Sequence, residues 1–210
     1  MDRKTILDKI TEAKEKFQKR NFKQSVEISI NFKGINIEDA ENKLNLSVLL
    51  PKGRGKDVEI GVFADSDMNI KAKSISKHVL NRKELESYAV SKRNMRKFAD
   101  ECYGFIAQAD LMPVIGKTWG IVLAPRGKMP QPIPVNADLN SIISRLKNTV
   151  RIRSKKNPTV NVPIGVEDMS PEDLTENIIA IMNSIEKQIS KDKIASVYFK
   201  STMGQSVRLW

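Results

Sequence analysis

One cysteine, Cys102, and one histidine, His78, occur in 210 residues. A single cysteine excludes an internal disulfide framework, and a single histidine excludes a His-rich zinc or di-metal site built within one chain. Metal catalysis is therefore not expected, and no cofactor is implied. No apolar run approaches the ~18–20 residues of a membrane span, and the start Met1, Asp2, Arg3, Lys4 lacks the apolar core of a secretory signal. The expected compartment is the cytoplasm, with no membrane partner. Nucleotide-binding glycine turns are also missing. Gly116, Lys117 and Thr118 spell the end of a P-loop, but Leu111 stands where its first glycine belongs and Pro113 intervenes. No GxGxxG turn follows a strand, because Gly53 and Gly55 precede one.

Positive charge, in contrast, is abundant: 36 Lys and Arg against 25 Asp and Glu give a net charge of +11. The excess is greatest in residues 58–154, whereas residues 155–210 balance to zero. Lys92, Arg93, Arg96 and Lys97 crowd one helical stretch; Arg151, Arg153, Lys155 and Lys156 form a second cluster; Arg126 and Lys128 lie in a proline-rich loop. Nucleic acid is the polyanion that best fits such clusters, since each neutralised phosphate releases condensed counterions. A merely solvated basic surface is the plainer explanation of charge alone.

Ile6, Leu7, Ile10, Ala13 and Phe17 recur at helical spacing, so residues 3–19 read as an amphipathic helix. Val26, Ile28, Ile30 and Phe32 alternate with polar residues, and Leu44, Leu46, Val48 and Leu50 alternate with Asn45, Ser47 and Leu49. That is the pattern of antiparallel strands with one dry face. After the breaker segment Pro51 to Lys56 the pattern becomes strands alternating with helices: strands at 58–64, 105–109 and 120–123, helices at 83–101 and 138–148. Such alternation argues for a parallel sheet. From residue 159 the first pattern returns, with strands around Val160 to Ile164 and Ser196 to Lys200 and a helix opened by Ser170 and Pro171. The expected architecture is two-domain. A discontinuous two-layer α+β domain, residues 1–57 and 155–210, carries an inserted Rossmann-like α/β domain, residues 58–154. Sequential small domains would leave a similar pattern.

His78, Cys102, Asp65, Asp67 and Asp110 are the remaining chemical candidates. Packing, helix capping and turn formation explain them more economically than catalysis.

Two segments are more specific than composition. Leu123 to Pro130 (LAPRGKMP) and Ser201 to Gly204 (STMG) closely resemble signatures of the ribosomal protein L-one family, found at the large-subunit side stalk beside the tRNA exit site. Further matches fall in order: Phe22 to Glu27, Leu50 to Lys56, Ala107 to Leu111 and Val162 to Gly165. The chain is most similar to archaeal members, in its start at the first helix and its spacing around Ala107 to Pro113. It departs from the pattern at Ala124, where Gly is usual, and at Lys52, where His is common.

The resemblance implies a non-enzymatic constituent of the large ribosomal subunit, monomeric when free. It implies binding to the stalk region of large-subunit rRNA, help in releasing deacylated tRNA, and repression of translation through its own mRNA. By position the rRNA contacts would be Phe22, Ser25, Glu27, Ser196, Lys200, Thr202, Met203 and Gly204. Hydroxyls and a carboxylate suit RNA, because they can exchange hydrogen bonds with 2′-hydroxyls in an accessible minor groove. Arg126 and Lys128 would supply a secondary contact, and Gly53, Gly55, Lys155 and Lys156 a hinge. The alternative from another class is an α/β enzyme binding a nucleotide or phosphate ligand, suggested by Gly116 to Thr118.

Overall fold

The computed structural model describes residues 3–18, 20–35, 39, 42–135, 137–154 and 157–210. The chain starts with α1 (Arg3–Glu15), β1 (Ser25–Phe32) and β2 (Asn45–Leu49). It continues through β3 (Ile60–Phe63), α2 (Ser66–Ile75), β4 (Val79–Leu80), α3 (Arg82–Ala89), α4 (Lys92–Glu101) and β5 (Gly104–Gln108). Next come α5 (Met112–Thr118), α6 (Gly120–Leu123), β6 (Gln131–Ile133) and α7 (Leu139–Lys147). It closes with β7 (Thr149–Arg153), β8 (Thr159–Val166), α8 (Pro171–Glu186), β9 (Ile194–Ser201) and β10 (Val207–Arg208). These elements form two compact units, Met1–Lys56 with Asn148–Trp210, and Asp57–Lys147.

In the terminal unit, β10-β9-β1-β8 form an antiparallel sheet. The two-residue period of β1 decides its faces: Val26, Ile28, Ile30 and Phe32 are buried, while Ser25, Glu27, Ser29 and Asn31 point the other way. The dry face packs on Ile6, Ile10 and Ala13 of α1 and on Ile178, Ile181 and Ile185 of α8. Helix α8 starts where local chemistry dictates. The Ser170 hydroxyl accepts the Asp173 N–H at 3.1 Å, Pro171 supplies a preset φ, and Glu172 and Asp173 complement the positive helix end.

The segment around Leu44 to Leu50 does not join this sheet. It pairs antiparallel with β7 in a separate two-stranded ribbon, Val48 opposite Val150 and Leu46 opposite Ile152. The boundary expected at residue 155 is thereby corrected: the chain re-enters the terminal unit at Asn148, because Val150 and Ile152 complete its core. Arg151 and Arg153, read as a basic cluster, are the outward residues of that strand, and Arg151 forks onto Asn45 Oδ1 at 2.9 and 3.1 Å.

The inserted unit is a parallel sheet in the order β4-β3-β5-β6 with helices on both faces. Val62 and Ile106 face Met68 and Ala72 of α2 and Leu139 and Ile143 of α7. Phe63 and Phe105 face the other way, stacked at 5.3 Å between centroids and packed with Phe98 and Trp119. Two expectations fail here. Residues 120–123 are a helical turn, and the third long-range strand is β6 instead. Residues 83–101 are two helices separated at Val90 and Ser91, with Ser91 in extended geometry.

Candidate nucleic-acid interface

The site is best built from Gln24, which is only 1% exposed. Its Nε2 donates to Glu167 Oε2 and to the Gln18 carbonyl, each at 3.1 Å, and its Oε1 accepts the Met203 N–H at 3.2 Å. Glu167 Oε1 in turn accepts the Gln24 N–H at 3.0 Å. One buried amide thus joins the entry to β1, the exit of β8 and the turn after β9. A buried amide so fully bonded fixes geometry, since losing one partner would leave the others unpaired at real cost.

On this support sits the turn Thr202 to Gly204. The Ser25 carbonyl accepts two hydrogen bonds from Thr202, from its N–H and its hydroxyl, both at 3.0 Å. Gly204 N–H donates to Ser201 O at 3.2 Å and closes the turn. The glycine is required by space and not by handedness: a Cβ at Gly204 would stand 2.2 Å from Ser201 Oγ. Ser201 is fully buried, and its hydroxyl has no hydrogen-bond partner among the described residues. Met203 and Phe22, 61% and 52% exposed, present apolar surface beside the turn. Phe22, two residues before Gln24, is therefore not a core aromatic.

From the turn, the polar face of the sheet continues along β1 and β9. Glu27 lies directly opposite Lys200, and Ser29 opposite Tyr198, which pairs with Arg208 on β10. The side chains of Glu27 and Lys200 have no hydrogen-bond or ion-pair partner among the described residues, so both remain available to a ligand. Ser196 is on the same face but stands apart, five residues along β9 from Ser201, or roughly 17 Å. Its hydroxyl accepts from Asn31 Nδ2 at 3.0 Å, and Asn31 Oδ1 accepts from Thr159 at 2.8 Å. The structure therefore gathers Ser25, Glu27, Lys200, Thr202, Met203 and Gly204 with Phe22 at one end of the sheet, and leaves Ser196 in a row of its own. Sequence reasoning placed Gln24 and Ser201 inside matched segments without giving either a role, and missed Glu167. Only the polar alternation of β1 hinted at the wider face through Ser29 and Asn31.

The remaining candidates have structural tasks. Gly53 and Gly55 adopt φ +66° and +65°, and a Cβ at Gly55 would stand 2.7 Å from Val166. Asn177 holds the Gly53 carbonyl at 2.9 Å, so both glycines anchor the segment leaving the terminal unit. The other two hinge residues, Lys155 and Lys156, lie outside the described residues. Arg126 pairs with Asp100 at 3.1 Å. Lys128 Nζ donates to Ala99 O at 2.7 Å and Cys102 O at 2.6 Å, the open carbonyls at the end of α4. Burial holds this ammonium below its ordinary pKa. Gly127, at φ +68°, ends α6 with the paired bonds Gly127 N–H to Ala124 O and Lys128 N–H to Leu123 O, a Schellman closure. The LAPRGKMP segment thus builds a helix stop and a helix cap, which accounts for its glycine and lysine without an RNA contact. Lys128→Met is expected to lower the stability of the inserted unit by about 1–2 kcal/mol, from two charge-assisted bonds lost at a half-exposed site. Its rRNA affinity should stay unchanged, as chemical denaturation and titration would report.

No catalytic arrangement emerges from the other candidates. Gly116, Lys117 and Thr118 lie inside α5 and not in a loop ahead of a helix, so the backbone amides cannot form a phosphate cradle. The Cys102 thiol is pushed up to about 12 by burial, which removes its thiolate at neutral pH. His78 packs edge-on against Phe98 with Nδ1 3.6 Å from Glu101. Asp65 caps α2.

Comparison with known proteins identifies the family of the chain. Residues 14–205 match the ribosomal protein L1p/L10e family. The large ribosomal subunit protein uL1 of Methanosarcina acetivorans is 43% identical over 212 aligned positions, covering 100% of both chains. That of Pyrococcus horikoshii is 44% identical over 211, covering 99% of this chain and 96% of its own. That of Thermoplasma volcanium is 39% identical over 211, covering 100% and 97%. With family similarity across 14–205 and relatives aligned over full length, this chain belongs to the ribosomal protein L1p/L10e family and is not an enzyme.

Proposed function

We propose that the terminal unit binds the side-stalk region of large-subunit rRNA through the Thr202 to Gly204 turn and the adjoining Glu27 and Lys200, as a structural constituent of the large ribosomal subunit in the cytoplasm. The carrying observation is the pre-formed turn: its backbone is fixed by Ser25 and Gln24 before any ligand arrives. Preorganised polar groups bind with little further ordering cost. The Thr202 hydroxyl, having donated its hydrogen to Ser25, keeps acceptor capacity for a 2′-hydroxyl. Glu27 accepts such hydrogens as well and repels phosphates, which favours a groove edge over a backbone. The same chemistry serves a matching structure in the protein's own mRNA, and so repression of its translation. Placement beside the exit site gives a role in releasing deacylated tRNA.

Thr202→Ala is expected to reduce affinity for the rRNA stalk fragment by about 1–3 kcal/mol, the scale of a lost well-placed hydrogen bond. Calorimetric titration reads this directly. Unchanged affinity with an intact fold would remove Thr202 from the site, and equal affinity for a DNA copy would refute 2′-hydroxyl recognition.

A further inference from the structure

Helix α4 of the inserted unit carries charge that its own fold does not use. Met95, Phe98 and Ala99 point into the core, while Lys92, Arg93, Arg96 and Lys97 are exposed. Both acids of the helix are engaged elsewhere, Asp100 by Arg126 at 3.1 Å and Glu101 beside His78 at 3.6 Å. None of the four cations has an ion-pair or hydrogen-bond partner among the described residues.

The arrangement also works against the helix. Lys92 and Arg96, and Arg93 and Lys97, are like charges four residues apart, a spacing that repels. Lys92 and Arg93 sit in the first turn, where the helix dipole is already positive, with no acidic residue there and no side-chain cap from Ser91. Helices α1, α5 and α7 also lack an acid in the first turn, but two helices of the chain are built the opposite way. Helix α3 has a complete capping box from Asn81 and Glu84, and α8 has Ser170, Glu172 and Asp173 at its start. Positions that cost helix stability three times over are explained when an anion occupies the face.

We infer that the outer face of α4 is a second RNA-contacting surface, in which Arg93, Arg96 and Lys97, with Lys92 at its edge, neutralise the phosphate backbone without reading sequence. One helical turn rises about 5.4 Å, so the cations form a short line that a row of phosphates can follow. Arginine adds bidentate phosphate geometry. A lipid surface fits less well: every exposed side chain on α4 is polar, leaving no apolar residue to enter the acyl boundary. Arg126 supports the surface indirectly, by pairing with Asp100 and offsetting its charge.

The test uses the full chain carrying Arg93→Gln, Arg96→Gln and Lys97→Gln, titrated with an RNA duplex of arbitrary sequence over a range of salt. Affinity for that duplex should fall at least about tenfold, and the slope of log K against log salt should flatten by about 2, as two or three phosphate contacts vanish. The preference for the stalk fragment over the arbitrary duplex should be unchanged. Arg93→Lys with Arg96→Lys should keep the slope. Thr202→Ala should leave the arbitrary duplex untouched, so the two sites fail separately. An unaltered slope and affinity in the triple variant would overturn the assignment. So would a loss confined to phosphatidylserine vesicles.

Discussion

Gly204→Ala is expected to weaken rRNA binding about 100-fold, roughly 3 kcal/mol, in a chain that still folds. The added methyl would stand 2.2 Å from Ser201 Oγ, a separation that no non-bonded pair tolerates. Ser201 is fully buried at the end of β9, so the contact is relieved either by turning its hydroxyl within the packed core or by moving the turn. Moving the turn breaks the Thr202 and Met203 bonds to Ser25 and Gln24 that define the proposed binding surface. The clash has a single source, because the next atoms, Ser201 Cβ and N, lie at 3.5 and 3.7 Å. Ser201→Ala therefore should rescue Gly204→Ala. By itself it should be nearly neutral, since the hydroxyl it removes has no partner among the described residues. A double variant that binds as weakly as Gly204→Ala would show that the glycine is needed for some reason other than this contact.

The largest loss of stability is expected at Asn177. Its fully buried side chain accepts the Lys52 N–H at 3.1 Å and donates to the carbonyls of Gly53 and Ile164, both at 2.9 Å. Asn177→Leu keeps the forked heavy-atom skeleton with bulkier methyl ends and strands three backbone groups, at a cost of about 3 kcal/mol. Amide hydrogen exchange localises the effect. The Ile28 and Ile30 amides of the terminal unit should lose protection, while Val62 and Ile106 of the inserted unit should keep theirs. Equal protection throughout would mean that water replaces the amide at no cost.

Periodicity made β1, β8, β9, α1 and α8 legible, because each buries one face and a buried face writes its period into the chain. Gly120 to Leu123 escaped for the complementary reason: four apolar residues are too few to distinguish a helical turn from a buried strand. The alternation in Thr149 to Arg153 was present, but its arginines drew attention as charge and hid Val150 and Ile152 as core. At the site, the exposed turn was recognisable as a motif. Its support was not, because Gln24 gains its role from Glu167 and Met203, 143 and 179 residues away. A lone Gln between Lys23 and Ser25 carries no local sign of burial. The LAPRGKMP segment shows the converse: a conspicuous string whose glycine and lysine serve backbone geometry.

The strand order β10-β9-β1-β8 also governs when the proposed binding surface comes into being. On a growing chain β1 emerges early, yet its two neighbours begin only at Thr159 and Ile194. At roughly 5–20 residues per second, both edges of β1 wait many seconds without partners. The parallel sheet of Asp57–Lys147 needs nothing from later residues and can fold during that interval. The Thr202 to Gly204 turn, docked on Ser25, cannot exist until β9 has been made. On the proposed function, recognition by this sheet is thus reserved for finished molecules, and a chain truncated before β9 keeps only the α4 face of its inserted unit.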